Sequence, residues 1–308
     1  MTDIAGTGLL VRVELTKLAH ELGVEVAELS ELATLTRDEL VELRGVVSQA
    51  LFAAQEHRFT RFASFSRLVP VGVAAKGAEA ALGPLVTAKV AAVTDPDVAV
   101  RMASHLSPEF MARVSPHLDP AKISGILNGL PDETVVDVGR RLVLADEHIA
   151  LGRFVSFVPV ATSLRVIEKA SPLGLLQIAL FTEEPAALDG VISELPDERI
   201  TDVLVAAQEN GAVDDALALL SALSPWTRAR VVALTAGLDV RVRDSLIRAV
   251  TRNDAWGQLT PVLDHIGVDD ARSLLDVPAL QDPEVRAGLA GSAAGHPAAE
   301  RLVSELGL

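Results

Sequence analysis

The chain has no cysteine among its 308 residues. That excludes disulfides, thiolate nucleophiles and cysteine-held zinc or iron–sulfur centres. It has no tyrosine either, and aromatics make up 3% of the residues, so a core built on stacked rings is excluded. Positive charge is scarce. Five lysines and 22 arginines face 42 acidic residues, for a net charge of −15. Nucleic acid is therefore not the expected partner, because phosphate binding needs a basic face. No stretch approaches the roughly 18 uncharged apolar residues of a spanning helix. Met1-Thr2-Asp3-Ile4 lacks the basic start and apolar run of a signal peptide, so a cytoplasmic location is expected. The alanine, valine and arginine load is that of a GC-rich, bacterial coding sequence.

Catalytic signatures are missing as well. There is no phosphate loop, no Gly-x-Gly-x-x-Gly, no Gly-x-Ser-x-Gly and no His-Glu-x-x-His, and none of the seven histidines has a second one four residues on. The expectation is a protein that is not an enzyme and has no cofactor and no metal ligands.

What the sequence does hold is helix. Apolar residues are 49% of the chain, and they recur at helical spacing. Leu9 to Leu22 and Val24 to Leu32 are expected to be two amphipathic helices. Thr36-Arg37-Asp38-Glu39 is a capping box, in which hydroxyl and carboxylate satisfy amides at a helix start. Its helix is expected to run to about residue 57. Farther on, Ser–Pro and Asp–Pro pairs punctuate the chain: Asp95-Pro96, Ser107-Pro108, Asp119-Pro120, Ser171-Pro172, Ser224-Pro225 and Asp282-Pro283. Ser or Asp accepts an orphan amide hydrogen bond at N-cap, and Pro suits the first helical position because its missing N–H would be orphaned anyway. Each pair predicts a helix start. No alternating strand pattern competes.

The chain also repeats itself. Arg61-Phe62-Ala63-Ser64-Phe65 returns as Arg153-Phe154-Val155-Ser156-Phe157, and Leu130-Pro131-Asp132-Glu133 returns as Leu195-Pro196-Asp197-Glu198. Self-alignment divides the chain into an N-terminal helical region (1–57), a first copy (58–117), inserted short-helix repeats (118–149), a second copy (150–213), a third copy (214–275) and a C-terminal helical cap (276–308). The first two copies are offset by 89 to 92 residues, the next two by 65 drifting to 71. Repeats of this length are the sequence signature of stacked helical architectures. The expected fold is all-α, an α-solenoid or superhelix of short antiparallel, HEAT-like helices. Within residues 104–143 the rhythm Leu106-Ser107-Pro108, Leu118-Asp119-Pro120, Leu130-Pro131-Asp132 recurs every 12 residues. This rhythm resembles the cytosolic N-terminal domain of MgtE-type magnesium transporters, a superhelix of very short helices. The resemblance implies the fold, and it carries no metal-binding residue onto this chain.

Two features point to a surface with a task. Residues 61–94 hold four bases (Arg61, Arg67, Lys76 and Lys89) against one acid, Glu79, in an otherwise acidic chain. Phe59, Phe62 and Phe65 stand at the start of that stretch. A basic apolar segment with aromatics is how a peripheral protein meets anionic lipid, although Phe62 and Phe65 fit the core between repeats better, being apolar in every copy. The second feature is a cation at one place in each copy, Lys76, Arg165 and Arg230, which would line one face of the stack and hold an acidic partner or anionic ligand. The alternative is that each pairs with a neighbouring helix. Trp226 and Trp256 fit a partly buried core better than a binding surface. The function expected is a scaffold or adaptor binding a protein partner on the face of the stack. Peripheral membrane binding through residues 58–92 and divalent-cation (magnesium) sensing by acidic helix faces are the alternatives.

Overall fold

The protein is all-α. The computed structural model describes residues 8–53, 60 and 69–307, the side chains of 51 and 52 excepted. Among these it has twenty α-helices, shorter 3₁₀ and π segments, and no strand.

Residues are grouped in two compact units, Met1–Ala170 with Phe181–Glu183, and Ser171–Leu180 with Glu184–Leu308. The division falls inside the second sequence copy. The first unit contains α1 (Leu9–Leu22), α2 (Arg37–Ala53), α3 (Val71–Gly77), α4 (Gly83–Ala91), α5 (Pro96–Ala103), α6 (Pro108–Val114), α7 (Ser124–Gly129), α8 (Asp132–Leu144), α9 (His148–Phe154) and α10 (Val160–Ile167). Next in the chain come α11 (Pro172–Phe181), α12 (Pro185–Glu194), α13 (Asp197–Glu209), α14 (Val213–Ala222), α15 (Pro225–Ala236), α16 (Val240–Arg252), α17 (Trp256–Leu263), α18 (Val268–Leu275), α19 (Pro283–Ser292) and α20 (Pro297–Leu306).

The caps explain why the helices start where they do. In the capping box the Thr36 N–H donates to Glu39 Oε2 at 2.8 Å, and the Glu39 N–H donates to Thr36 Oγ1 at 3.3 Å. Five of the six Ser/Asp–Pro pairs open a helix with Pro at its first position. The side chains of Asp95, Ser107, Ser171, Ser224 and Asp282 each accept a backbone N–H from the first turn, at 2.9–3.3 Å. Asp119-Pro120 is the exception. Its carboxylate accepts the Ala121 N–H at 3.1 Å, but the chain makes a single turn and α7 begins only at Ser124. The cause is Ile123, which is drawn into a cluster with Ala99 and Ile126 and so breaks the run. Where an amphipathic helix is expected from Val24 to Leu32, the chain winds as a 3₁₀ helix over Val26–Thr34. The expected continuation of α2 to about 57 lies outside the described residues.

The sequence period has a counterpart in the helix starts. Those of α3, α4, α5 and α6 recur as those of α10, α11, α12 and α13, each 89 residues later. Those of α8, α9 and α10 recur 65 residues later as α13, α14 and α15. Even the left-handed turn residue before α9, Asp146 at φ 55°, has Gly211 at φ 69° in the matching place before α14.

Within each unit many helices lie on the one two places ahead, although α15 packs most closely on α18. In the first unit α3 packs on α5, α4 on α6, α5 on α7, α6 on α8 and α8 on α10. In the second, α13 packs on α15, α14 on α16, α15 on α17 and α17 on α19. Helices of 7 to 13 residues are only about 10–20 Å long, and isolated helices of that length are marginal in water. Their stability comes from these contacts. The second unit has one continuous apolar core, with Val232, Ile247, Val250, Leu263, Leu274 and Leu289 fully buried.

Candidate functional site

The three recurring cations fall on three equivalent helices, α3, α10 and α15. Arg165 of α10 directs one amino group at both carboxylate oxygens of Glu133, 2.7 and 2.8 Å away in the first turn of α8. Beside it, Arg140 of α8 donates to Glu168 at 2.6 Å and to the carbonyl of Arg165 at 3.2 Å. These pairs tie α8 to α10 where Gly139 admits Val166, a Cβ at 139 falling 2.7 Å from both valine methyls.

Arg230 of α15 does more. Its Nε donates to Asp197 at 3.0 Å, and its amino groups donate to the carbonyls of Ile192, Ser193 and Leu195 at 2.7–3.1 Å. It thereby closes the C-terminal end of α12, where orphan carbonyls and the negative end of the helix dipole favour a cation. The acids engaged, Glu133 and Asp197, belong to the two Leu-Pro-Asp-Glu motifs. Arg230 is a helix-to-helix tie with its Nε and both amino groups engaged, whereas Arg165 ties α8 to α10 through one amino group in an exposed pair. Lys76 of α3 is exposed and has no ion-pair partner among the described residues. The expected lipid-contact residues Phe59, Phe62, Phe65, Arg61 and Arg67 lie outside the described residues. Beyond them, Val73 and Leu85 are exposed at 59% and 54%.

The two tryptophans part company. Trp256 is core, 4% exposed, its indole N–H donating to Thr251 at 3.2 Å. Trp226, expected to be partly buried, is 80% exposed. The reason is its place at the second position of α15. Pro225 before it is exposed, whereas Thr227 after it is buried and turns the inward face of the helix away from residue 226. The backbone that carries Trp226 is held firmly. Asp189 of α12 accepts the Ser224 N–H at 2.9 Å, and Ser224 Oγ accepts the Thr227 N–H at 3.3 Å. Burial raises the Asp189 pKa, but the hydrogen bonds from Ser224 and Thr227 outweigh it, and the carboxyl is held below its ordinary value.

One charged cluster has no signal in the sequence. In the first unit Glu14 and Lys17 of α1 are buried and paired at 3.0 Å. Arg44 of α2 reaches the same Glu14 at 3.2 Å and Glu183 at 3.0 Å. Burial lowers the Lys17 pKa, against the opposing pull of Glu14. The members lie up to 169 residues apart in the chain, so only the fold brings them together. Among the described residues no three His, Asp or Glu side chains converge as a metal site requires, and no helix is long and apolar enough to cross a membrane. No protein-family model, no curated protein and no solved structure matches the chain.

Proposed function

We propose that the protein is a non-catalytic adaptor that binds a protein partner on a face of its stacked short helices, in a superhelix similar to the N-terminal domain of MgtE-type transporters. The observation that carries this reading is Trp226, a large aromatic presented to solvent on a backbone fixed by Pro225, the Ser224 cap and Asp189. Tryptophan is enriched among residues that dominate binding energy, and a rigidly presented side chain loses little entropy on binding. The test is affinity purification from the source cells with wild type and Trp226→Ala, whose melting temperature is expected to match wild type. One protein retained in stoichiometric amount by wild type and lost from the variant supports the reading. The same retained set for both sinks it.

A second reading, contact with an anionic membrane surface, draws on Val73 and Leu85, which are exposed, and on Lys76, which is exposed and has no ion-pair partner among the described residues. It requires the protein to sediment with vesicles containing phosphatidylserine. Binding must weaken with added salt and in the Val73→Ser, Leu85→Ser double variant. No sedimentation at low salt removes it.

A further inference from the structure

The first unit contains a cleft of about 300 Å³ above the buried Glu14–Lys17–Arg44 cluster. That is the lower end of the range for small-molecule sites. Three cations line it, Arg44, Lys122 and Arg153, against two carboxylates, Asp119 and Glu183. Lys122 lies 3.5 Å from Asp119, and Arg44 lies 3.0 Å from Glu183. The Glu14–Lys17 pair beneath cancels itself. Among the described lining residues the cations outnumber the carboxylates by one.

Arg153 is held in an unusual state. Its side chain is only 15% exposed, its nearest carboxylate oxygen is 3.9 Å away on Glu183, and its Nε is shut off from solvent with no acceptor. The facing Glu183 Oε1 is already paired with Arg44, whose amino group lies 3.0 Å away. A guanidinium has five donors in a fixed fork, and a buried polar group without a partner is destabilising. Phe157, four residues on in the repeated Arg-Phe-x-Ser-Phe motif, adds an aromatic wall to the same cleft.

We propose that this cleft binds a small monocarboxylic acid, its carboxylate on Arg153 and its apolar part against Phe157. The charge count favours a monoanion, since Asp119 and Glu183 repel a second negative charge. A carboxylate also matches the guanidinium fork in two parallel hydrogen bonds. The competing occupant is water filling the cleft beside Arg153 and Phe157 with no ligand bound. This inference is independent of the Trp226 reading, which concerns the other unit.

The test is calorimetric titration of the full chain with benzoate, with benzamide as the uncharged isostere. Benzoate is expected to bind saturably at one site and benzamide at least tenfold more weakly. Arg153→Gln, shown to be folded by circular dichroism, is expected to lose tenfold or more in benzoate affinity. Glu183→Gln removes a repelling charge and is expected to tighten benzoate binding several-fold. It decides the matter should Arg153→Gln fail to fold. Equal weak binding of benzoate and benzamide means a water-filled gap and overturns the proposal. So does a folded Arg153→Gln that binds like wild type, or a Glu183→Gln that binds no tighter.

Discussion

Gly288 is the most demanding small residue of the second unit. It lies on α19 against α17, and a Cβ built on it falls 2.4 Å from Cδ1 and Nε1 of Trp256 and 3.2 Å from Cγ. Carbon–carbon contacts are optimal near 3.5–4.0 Å, so Gly288→Ala requires more than 1 Å of movement from a buried indole. Trp256 cannot move outward freely, because it is 4% exposed and its N–H is bonded to Thr251. Overpacking of this kind costs about 1–3 kcal/mol, and losing the indole hydrogen bond adds about 1 kcal/mol. Replacing a helical glycine by alanine returns about 1 kcal/mol. The expected net destabilisation is about 2 kcal/mol. Gly291, three residues on in the same helix, is the control: nothing lies within 4 Å of its Cβ position. Gly291→Ala should stabilise by a few tenths up to about 1 kcal/mol. The assay is urea unfolding followed by Trp256 fluorescence in a Trp226→Phe background. Two variants equal in stability, or Gly288→Ala above wild type with unchanged emission, would refute the packing of α17 on α19.

Other expectations concern the ties between helices. Arg230→Ala should cost about 1–3 kcal/mol, since it strands three carbonyls and Asp197, whereas Arg165→Ala, losing an exposed pair with Glu133, should cost at most about 1 kcal/mol. Equal effects in urea unfolding would contradict the geometry. Because Lys has three donors on a single nitrogen, Arg230→Lys should recover only part of the loss. Asp189 has its native pKa held below the ordinary 3.8. Its contribution to stability is therefore complete above that value and is lost as pH falls through the lower native value. Wild type should lose stability relative to Asp189→Asn in the window below the ordinary 3.8, as read from thermal melts. A flat difference across that window would mean that Asp189 does not accept from Ser224 and Thr227.

Helix class and helix starts were legible because caps are local. Asp95, Ser107, Ser171, Ser224 and Asp282 need only the next three residues to do their work. Asp119-Pro120 misled for the opposite reason, since the burial of Ile123 beside Ala99 and Ile126 is a tertiary demand that a cap signal does not contain. The repeat period was also legible, being written in spacing, and so was the recurrence of a cation at equivalent positions. The use of those cations was not. Whether Arg230 faces solvent or the end of α12 depends on a helix 35 residues upstream. Trp226 was expected inside because tryptophan usually is, and its exposure follows from which side of α15 Thr227 buries. The convergence of Glu14, Arg44 and Glu183 has no pattern in the sequence, since only the fold brings them together.

The excess of arginine over lysine, 22 to 5, has a structural counterpart in how short helices end. Each leaves up to four carbonyls without partners, and a helix of about ten residues has proportionately many such groups. Arg230 closes α12. Arg228 donates to the carbonyls of Leu220, Ser221 and Leu223 at 2.8–3.1 Å and so closes α14. Arg243 reaches the carbonyls of Ser273 and Asp276 at the end of α18. In each case one guanidinium spans several acceptors lying in different directions, which a fork of five donors does and a single ammonium does not. Against this usage Arg153 stands out. It is as enclosed as the capping arginines, yet among the described residues it donates to no carbonyl. An arginine kept out of that structural role, lining a cleft beside Phe157, is placed to receive a ligand carboxylate.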